Sequence, residues 1–200
     1  MYELQVEDTV NHLSFETFLK VMDTIPELHI RKWKDEDVRF LFKIMYWSGL
    51  RPMEAIRLEK KDVHLRTRTL DLHQTKTKGV DYGMIPYHFV PELEAWIAEK
   101  EDGRLFQDLK YITFYFWLKR LGKMLDIPAW TTPKSESKEM TVGHLMRKSI
   151  GKNLLAGVHI APDEKEYTIY DVQALLRHSD PLVTGKHYLK TDINALKKRY

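Results

Sequence analysis

Cysteine is absent from all 200 residues of the chain. Its absence excludes disulfide bonds, thiolate metal ligands and cysteine nucleophiles, and it favours a reducing compartment. Long hydrophobic runs are also absent, since no stretch approaches the roughly 20 apolar residues of a membrane span. The first residues, MYELQVEDTVNHL, contain early acids and lack the apolar centre of a secretory signal. We therefore expect a cytoplasmic protein that does not contact a membrane.

An excess of one charge is missing as well, because 32 Lys and Arg oppose 29 Asp and Glu, for a formal net charge of +3. So small an excess identifies no partner, and only local clustering of the cations would indicate nucleic acid. Hydrophobic residues make up 43% and charged residues 30%, which is typical of a folded protein rather than a disordered one. The length fits one domain, and we expect residues 1–200 to form it.

The first part of the chain contains residues that typically begin and end short helices. Ser14 can cap a helix that Pro26 prevents from continuing far. Asp35 is expected to cap the next helix, which Gly49 ends. One face of that helix is predicted to be apolar: Val38, Leu41, Phe42, Met45 and Tyr46. A further short helix is predicted over 51–58, with a proline in its first turn.

The segment 63–86 has a different character from the rest of the chain. VHLR, RTLDLH and YGMIPY are short, rich in β-branched or aromatic residues, and separated by polar turns. Such a pattern predicts three antiparallel strands. Helices are predicted again at 91–100, 110–125, 141–156, 168–177 and, with a break, 182–199, whereas 127–139 is expected to be a surface loop. The predicted fold class is therefore α+β, mainly α with a small antiparallel three-stranded β-sheet.

Four sequence clusters contain side chains that can act on an anion: SGLRPME at 48–54, TKTKG at 75–79, HLMR at 144–147, and LRHSD at 176–180 followed by Tyr188. Each has an ordinary explanation when taken alone. Arg51 could form a surface ion pair, turn lysines are usually solvated, and His178 could cap a helix C-terminus. His144 and Arg147 share one polar helix face, and Gly151 one turn later would let a large ligand approach that face.

The clusters together suit one kind of chemistry. Arginines, histidines and a lysine without partner carboxylates or cysteines do not suit a metal ion. They suit a phosphodiester attacked in line, whose negative charge grows in the transition state and whose oxygens match guanidinium geometry. A tyrosine can supply the nucleophilic oxygen, and a lysine or histidine can protonate the leaving oxygen.

The order of the clusters resembles that in the catalytic domain of the tyrosine recombinases, the phage and archaeal integrases and their relatives. That family carries an arginine, a lysine in a β-hairpin, His-x-x-Arg, a histidine or tryptophan, and then a tyrosine. The resemblance covers about residues 14–190, and Tyr188 follows His178 by ten positions, as is usual in the family. It implies the family's catalytic-domain fold and a DNA cleavage and rejoining activity.

The resemblance also implies roles for the residues of the first two clusters. Arg51 corresponds to the first arginine, which grips the scissile phosphate. Lys76 corresponds to the hairpin lysine that protonates the 5′-oxygen, and Lys78 is the alternative because the turn offers both. Glu54 stands where the family often has an acid, and it is expected to orient Arg51 or the local helix.

Four further roles follow from the same resemblance. His144 would assist proton transfer, and Arg147 would bind a non-bridging phosphate oxygen. His178 would donate a hydrogen bond to the phosphate, and Tyr188 would be the nucleophile. Neither a cofactor nor a metal ion is implied.

The chain departs from the family pattern at two points. Arg177 stands where the family usually has the glycine of a Leu-Gly-His motif; we expect the helix to continue through it with little change in geometry. Full-length members also carry a core-binding domain of roughly 80–100 residues before the catalytic domain. Only about 13 residues precede the first helix here, which favours a catalytic-domain fragment over an unusually short recombinase.

The partner implied by the resemblance is double-stranded DNA. The family acts as a homotetramer on DNA, and the isolated domain would be a monomer without it; the tail at 191–200 would either be exchanged between protomers or pack on its own body. Cations that could line a DNA cleft are Arg31, Lys32, Lys34, Arg57, Lys60, Lys61, Arg66, Arg68, Lys148 and Lys152. A type IB topoisomerase activity and a catalytically inactive DNA-binding module are the alternatives.

Overall fold

A computed structural model describes residues 12–73, 80–131, 142–158 and 166–177. Within those ranges the chain forms eight α-helices and one three-stranded antiparallel sheet, which confirms the predicted fold class. Four of the candidate site residues lie outside the described ranges, as does the tail at 191–200: Lys76, Lys78, His178 and Tyr188.

Two helices open the described fold. Helix α1 spans Phe15–Thr24, and its N-terminal cap is Ser14, whose hydroxyl accepts a hydrogen bond from the Thr17 amide at 3.1 Å. Helix α2 spans Asp35–Trp47. The expectation that Asp35 caps α2 is wrong by one residue, because Lys34 is the cap and Asp35 begins the helix. Acids in the first turn still stabilise the positive end of the helix through its dipole.

A short helix and the sheet follow. Helix α3 spans Pro52–Arg57, and the strands are β1 (Val63–His64), β2 (Thr69–His73) and β3 (Val80–Met84). The sheet order is β1-β2-β3, with Leu72 paired to Asp81 and His73 paired to Val80. The buried leucines of β2 attach the sheet to the helical body.

Helices α4 (Val90–Ala98), α5 (Tyr111–Met124) and α6 (Pro128–Thr131) follow, and each buries apolar residues in the core. The surface loop expected at 127–139 is wrong for its first part. Ile127 and Trp130 are fully buried, and the Trp130 indole donates a hydrogen bond to the Val142 carbonyl at 3.1 Å. The two prolines of that stretch suggested a loop, but Pro128 is at the first position of a helix, where a missing amide proton costs nothing.

The last described helices carry the second half of the site. A 3₁₀ turn at Val142–His144 leads into helix α7 (Leu145–Leu155), and helix α8 spans Ile169–Leu176. Thr168 caps α8 by accepting the Asp171 amide, whereas the sequence predicted Thr168 to be the first residue of the helix. Among the described helices, none combines the length and the apolar character needed to cross a bilayer.

Helix α2 lies at the centre of the core. All five residues of its predicted apolar face are buried, and Tyr46 stacks on Phe18 with ring centroids 4.0 Å apart. The Tyr46 hydroxyl accepts a hydrogen bond from Asn153 of α7 at 2.6 Å, and Asn153 also donates to the Leu13 carbonyl at 3.1 Å. Burial raises the pKa of Tyr46, so its hydroxyl stays protonated. This buried network fixes α7, which carries Arg147, against α2.

Candidate active site

Gly49 is the point at which three of the predicted clusters meet. It ends the turn after α2 with φ +57°, and a Cβ there would lie 2.8 Å from Cδ2 of Leu176 on α8. Its carbonyl accepts a hydrogen bond from Nη1 of Arg147 at 2.5 Å. A left-handed backbone and a close neighbour both require glycine at this position. Gly49 therefore joins the first cluster to the arginine of the third and to the helix that precedes His178.

Arg51 is held by the acid three residues later. Its backbone amide donates to Glu54 Oε2 at 2.7 Å, and its guanidinium Nη1 donates to Glu54 Oε1 at 2.7 Å. The amide contact satisfies one of the free donors at the start of α3. The Arg51 side chain is 43% exposed, whereas that of Glu54 is 12% exposed. Glu54 therefore orients a guanidinium that remains open to solvent, as expected for its position.

His144 lies beside the start of α3. A Cβ added to Gly143 would be 2.4 Å from Cγ of Pro52, so the two backbones are in tight contact at that point. Partial desolvation first, and then the positive charges of Arg147 and Arg51, lower the pKa of His144 below its ordinary value of 6.5, while the charge of Glu54 opposes them. His144 is an exposed residue, so its imidazole is accessible, and the lowered pKa favours its neutral form.

Arg147 is buried, with only 4% of its surface exposed. The expectation of an open polar helix face through His144, Arg147 and Gly151 is therefore wrong in part. The Arg147 guanidinium donates to the Gly49 carbonyl beside Arg51, and Gly151 is buried. The guanidinium keeps its charge there because arginine does not deprotonate in proteins, and a carbonyl partner reduces the cost of burial.

Arg177 is not a continuation of α8. It caps the helix in a left-handed conformation, with φ 51° and ψ 44°, so the expectation of a helix running through it is wrong. Its guanidinium Nη2 donates to Glu54 Oε2 at 2.7 Å, and its Nε is 3.0 Å from Oδ2 of Asp81 on β3. Asp81 was missed by sequence reasoning, which had no signal for a carboxylate on an antiparallel strand reaching the end of α8.

Two of the clusters continue into parts of the chain that the structure does not describe. Lys76 and Lys78 fall in the connection between β2 and β3, whose last described pair is His73 with Val80. His178 directly follows Arg177, and Tyr188 lies ten positions further on. The described residues thus bring together Arg51, His144 and Arg147, and the catalytic roles of all the candidates stay predictions.

The cations proposed for a DNA cleft differ in their surroundings. Lys32 pairs with Asp108 at 3.3 Å, and Lys61 pairs with Glu59 at 2.7 Å. Arg57, Arg66 and Arg68 are exposed. In the described ranges no group of three or more His, Asp or Glu side chains is arranged to hold a metal ion.

Comparison with known proteins gives consistent similarities. Residues 11–194 match the model of the phage integrase family. The chain is 24% identical to the tyrosine recombinase XerA of Thermococcus onnurineus over an alignment of 189 residues. The alignment covers 93% of this chain and 60% of that protein. The chain therefore spans about 60% of the length of this curated relative.

Two solved structures share the fold. The XerH site-specific recombinase bound to its difH substrate matches with a TM-score of 0.63 and 19% identity, covering 88% of this chain and 49% of that one. The catalytic domain of bacteriophage HP1 integrase matches with a TM-score of 0.61 and 17% identity, covering 89% and 86% respectively. At these identities the similarity establishes the fold.

Proposed function

The chain belongs to the phage integrase family, and from this membership we propose that it is the catalytic domain of a site-specific DNA recombinase. It cleaves and rejoins DNA strands through a 3′-phosphotyrosine intermediate on Tyr188, without a metal ion. The observation that carries the proposal is the proximity of Arg51, His144 and Arg147, which come from segments about 100 positions apart in the sequence. Contacts between these segments support the proximity, because Gly143 lies against Pro52 and Arg147 donates to the Gly49 carbonyl.

Cleavage exchanges one oxygen bond to phosphorus for another. The Tyr188 hydroxyl loses its proton as its oxygen attacks the phosphorus, and the bond from phosphorus to the 5′-oxygen breaks. Lys76, or Lys78 in its place, gives a proton to the 5′-oxygen, which leaves as a free hydroxyl. His144, whose lowered pKa favours the neutral form, accepts the proton that the Tyr188 hydroxyl loses. Ligation is the reverse of these events, because the phosphotyrosine conserves the energy of the broken bond.

Arginine charge supplies the electrostatic part of the catalysis. Arg51 has an exposed guanidinium and offers it to the scissile phosphate as DNA arrives. Arg147 binds a non-bridging oxygen from a site shielded from water, where each charge acts more strongly than it does in solvent. His178 is assigned the remaining hydrogen bond to the phosphate. Donors fixed before the reaction need no reorganisation as charge grows in the transition state.

Double-stranded DNA is the proposed substrate, bound by a homotetramer, whereas the free domain is monomeric. Support comes from the XerH relative, which was solved in complex with its DNA substrate. The exposed arginines at 57, 66 and 68 would contribute phosphate contacts, which set affinity and its dependence on salt rather than sequence preference.

Covalent trapping on randomised DNA tests the proposal and identifies the target site in the same experiment. The chain is incubated with randomised duplexes that carry a nick, so that the short cleaved fragment diffuses away and religation fails. Protein–DNA adducts that survive denaturation are then isolated and their DNA is sequenced. We expect adducts enriched in one sequence, and none with Tyr188→Phe.

Three results would contradict the proposal in different ways. An adduct that survives Tyr188→Phe means another nucleophile, for which the exposed Tyr167 and Tyr170 on or beside α8 and the terminal Tyr200 are the next candidates. DNA binding without any adduct indicates an inactive binding module. Relaxation of supercoils with no strand exchange between two selected sites indicates a topoisomerase of type IB.

A further inference from the structure

Arg177 combines two features that are costly in isolation. It is a large, charged residue in the left-handed region (φ 51°), which ordinary side chains seldom occupy and which glycine adopts freely. It is also almost enclosed, since 7% of its side chain is exposed. Backbone strain of this kind persists only where the surrounding structure determines it, and such positions concentrate at functional sites. The contacts of its guanidinium show what holds Arg177 there.

Those contacts connect three separate segments of the site. Nη2 of Arg177 donates to Glu54 Oε2 at 2.7 Å on α3, and Nε is 3.0 Å from Asp81 Oδ2 on β3. Glu54 uses its other oxygen to hold the Arg51 guanidinium, also at 2.7 Å. A chain of ion pairs therefore runs from Asp81 through Arg177 and Glu54 to Arg51.

Glu54 is held by two cations, Arg51 and Arg177. Its side chain is 12% exposed, and an ionised carboxylate so enclosed is stable only when it is paired and hydrogen-bonded. Arg51 is the exposed partner and must exchange part of its solvation for a phosphate when substrate binds. Arg177 is the enclosed partner, so it fixes the carboxylate whatever Arg51 does.

We propose that Arg177 is a positioning residue for Arg51: by clamping Glu54 from behind and anchoring itself on Asp81, it sets the direction of the Arg51 guanidinium. The expected effect on DNA cleavage rests on the proposed function, whereas the contacts of Arg177 do not. The positioning role also gives a reason for an arginine at a position where a glycine would avoid the backbone strain. The planar fork of arginine can reach two carboxylates at once, whereas a lysine ammonium reaches one of them well.

Two variants of Arg177 test this role against a matched control. Arg177→Gly removes the clamp and also removes the left-handed strain, so backbone strain is not the cause of any defect. Arg177→Lys keeps the charge and loses the fork. His29→Gly is the control, because His29 is also left-handed (φ 48°), is exposed, and lies outside the proposed machinery. Adduct formation is measured in a single turnover at saturating protein, together with DNA affinity and the midpoint of unfolding.

For Arg177→Gly we expect the single-turnover rate to fall about 10- to 100-fold while DNA affinity changes less than about twofold, because displacement of a catalytic group by about 1 Å has effects of this size. Arg177→Lys should retain an intermediate rate, and His29→Gly should cleave like the unaltered chain. A normal rate for Arg177→Gly overturns the inference, as does a loss of rate that only follows the unfolded fraction. If Arg177→Gly fails to fold, a normal rate for Arg177→Lys overturns it.

A second readout needs no cleavage and so separates this inference from the proposed function. Nitrogen NMR of the arginine side chains reports whether the Arg51 guanidinium rotates freely. We expect slow rotation in the unaltered chain and in His29→Gly, and fast rotation in Arg177→Gly. Fast rotation of Arg51 in the unaltered chain would overturn the inference. Suppose that no adduct forms with any DNA, but the Arg51 guanidinium rotates fast in Arg177→Gly and slowly in the unaltered chain. The proposed function is then wrong, and the positioning of Arg51 by Arg177 is confirmed.

Discussion

Gly143 offers a direct way to separate Arg51 from His144. A Cβ at position 143 would lie 2.4 Å from Cγ of Pro52, about 1 Å short of normal van der Waals contact. The Pro52 ring cannot rotate away, so in Gly143→Ala the start of α3 must move by about that distance. Forced overpacking of this kind costs about 1–3 kcal/mol of stability. A displacement of about 1 Å in a catalytic group reduces the rate by about 10²-fold.

The assay for Gly143→Ala measures adduct formation in a single turnover and the free energy of unfolding in urea. The rate is compared at a temperature at which every variant is folded. Gly103→Ala is the control: Gly103 has φ +109° and open space around its Cα, so alanine there strains the backbone without moving the site. The control should lose stability and keep its cleavage rate.

A second substitution should reverse the effect of the first. Pro52→Ala removes Cγ and leaves only Cβ, which lies 3.5 Å from the new methyl group. The double variant Gly143→Ala with Pro52→Ala should therefore recover most of the rate and stability. Normal cleavage by Gly143→Ala, or a double variant worse than either single variant, would refute the reasoning from this contact.

Arg147, His144 and Asn153 each give a further prediction. Arg147→Ala should reduce single-turnover cleavage about 10²- to 10³-fold with duplex affinity nearly unchanged, measured by adduct trapping and titration of DNA; an equal loss of affinity would contradict its role. The pKa of His144 should lie below 6.5 by NMR titration and should rise in Arg51→Ala. Because this pKa is lower in the folded state than in the unfolded state, the contribution of His144 to folding stability is complete above about pH 6.5. That contribution is lost as the pH falls through the pKa of the folded state. Asn153→Ala should cost about 2 kcal/mol or more in urea unfolding, because the Tyr46 hydroxyl and the Leu13 carbonyl lose a buried partner; a loss below about 0.5 kcal/mol would contradict that network.

Local periodicity predicted the elements of the fold because each depends on residues close together in the chain. The apolar face of α2 repeats at helical spacing, and Ser14 and Thr168 have the chemistry of N-terminal caps. The stretch 127–131 was misjudged because Pro128 and Pro133 indicate a loop, whereas the buried Trp130, which donates to the Val142 carbonyl, lies in a short helix. The four clusters were interpreted as one site because their order matches that of a known family. Without that match, each cluster could equally be ordinary surface charge.

The details of the site depend on contacts between distant segments, and these were not accessible from the sequence. Arg147 was assigned to a polar face, but its partner is a carbonyl 98 positions away. Arg177 was expected to prolong a helix, but its backbone is left-handed. No local rule predicts this conformation, because the carboxylates that hold the Arg177 side chain lie on α3 and β3. The pKa of His144 likewise follows from charges that only the fold brings near it.

Identification of the residue that becomes attached to DNA tests the central claim most directly. Trapped adducts are digested with nuclease and trypsin, and the peptide that retains a nucleotide is sequenced by mass spectrometry. The account predicts the phosphate on Tyr188, in the peptide HYLK at 187–190. A nucleotide on Tyr167, Tyr170 or Tyr200, or the absence of any nucleotide-bearing peptide, would contradict it.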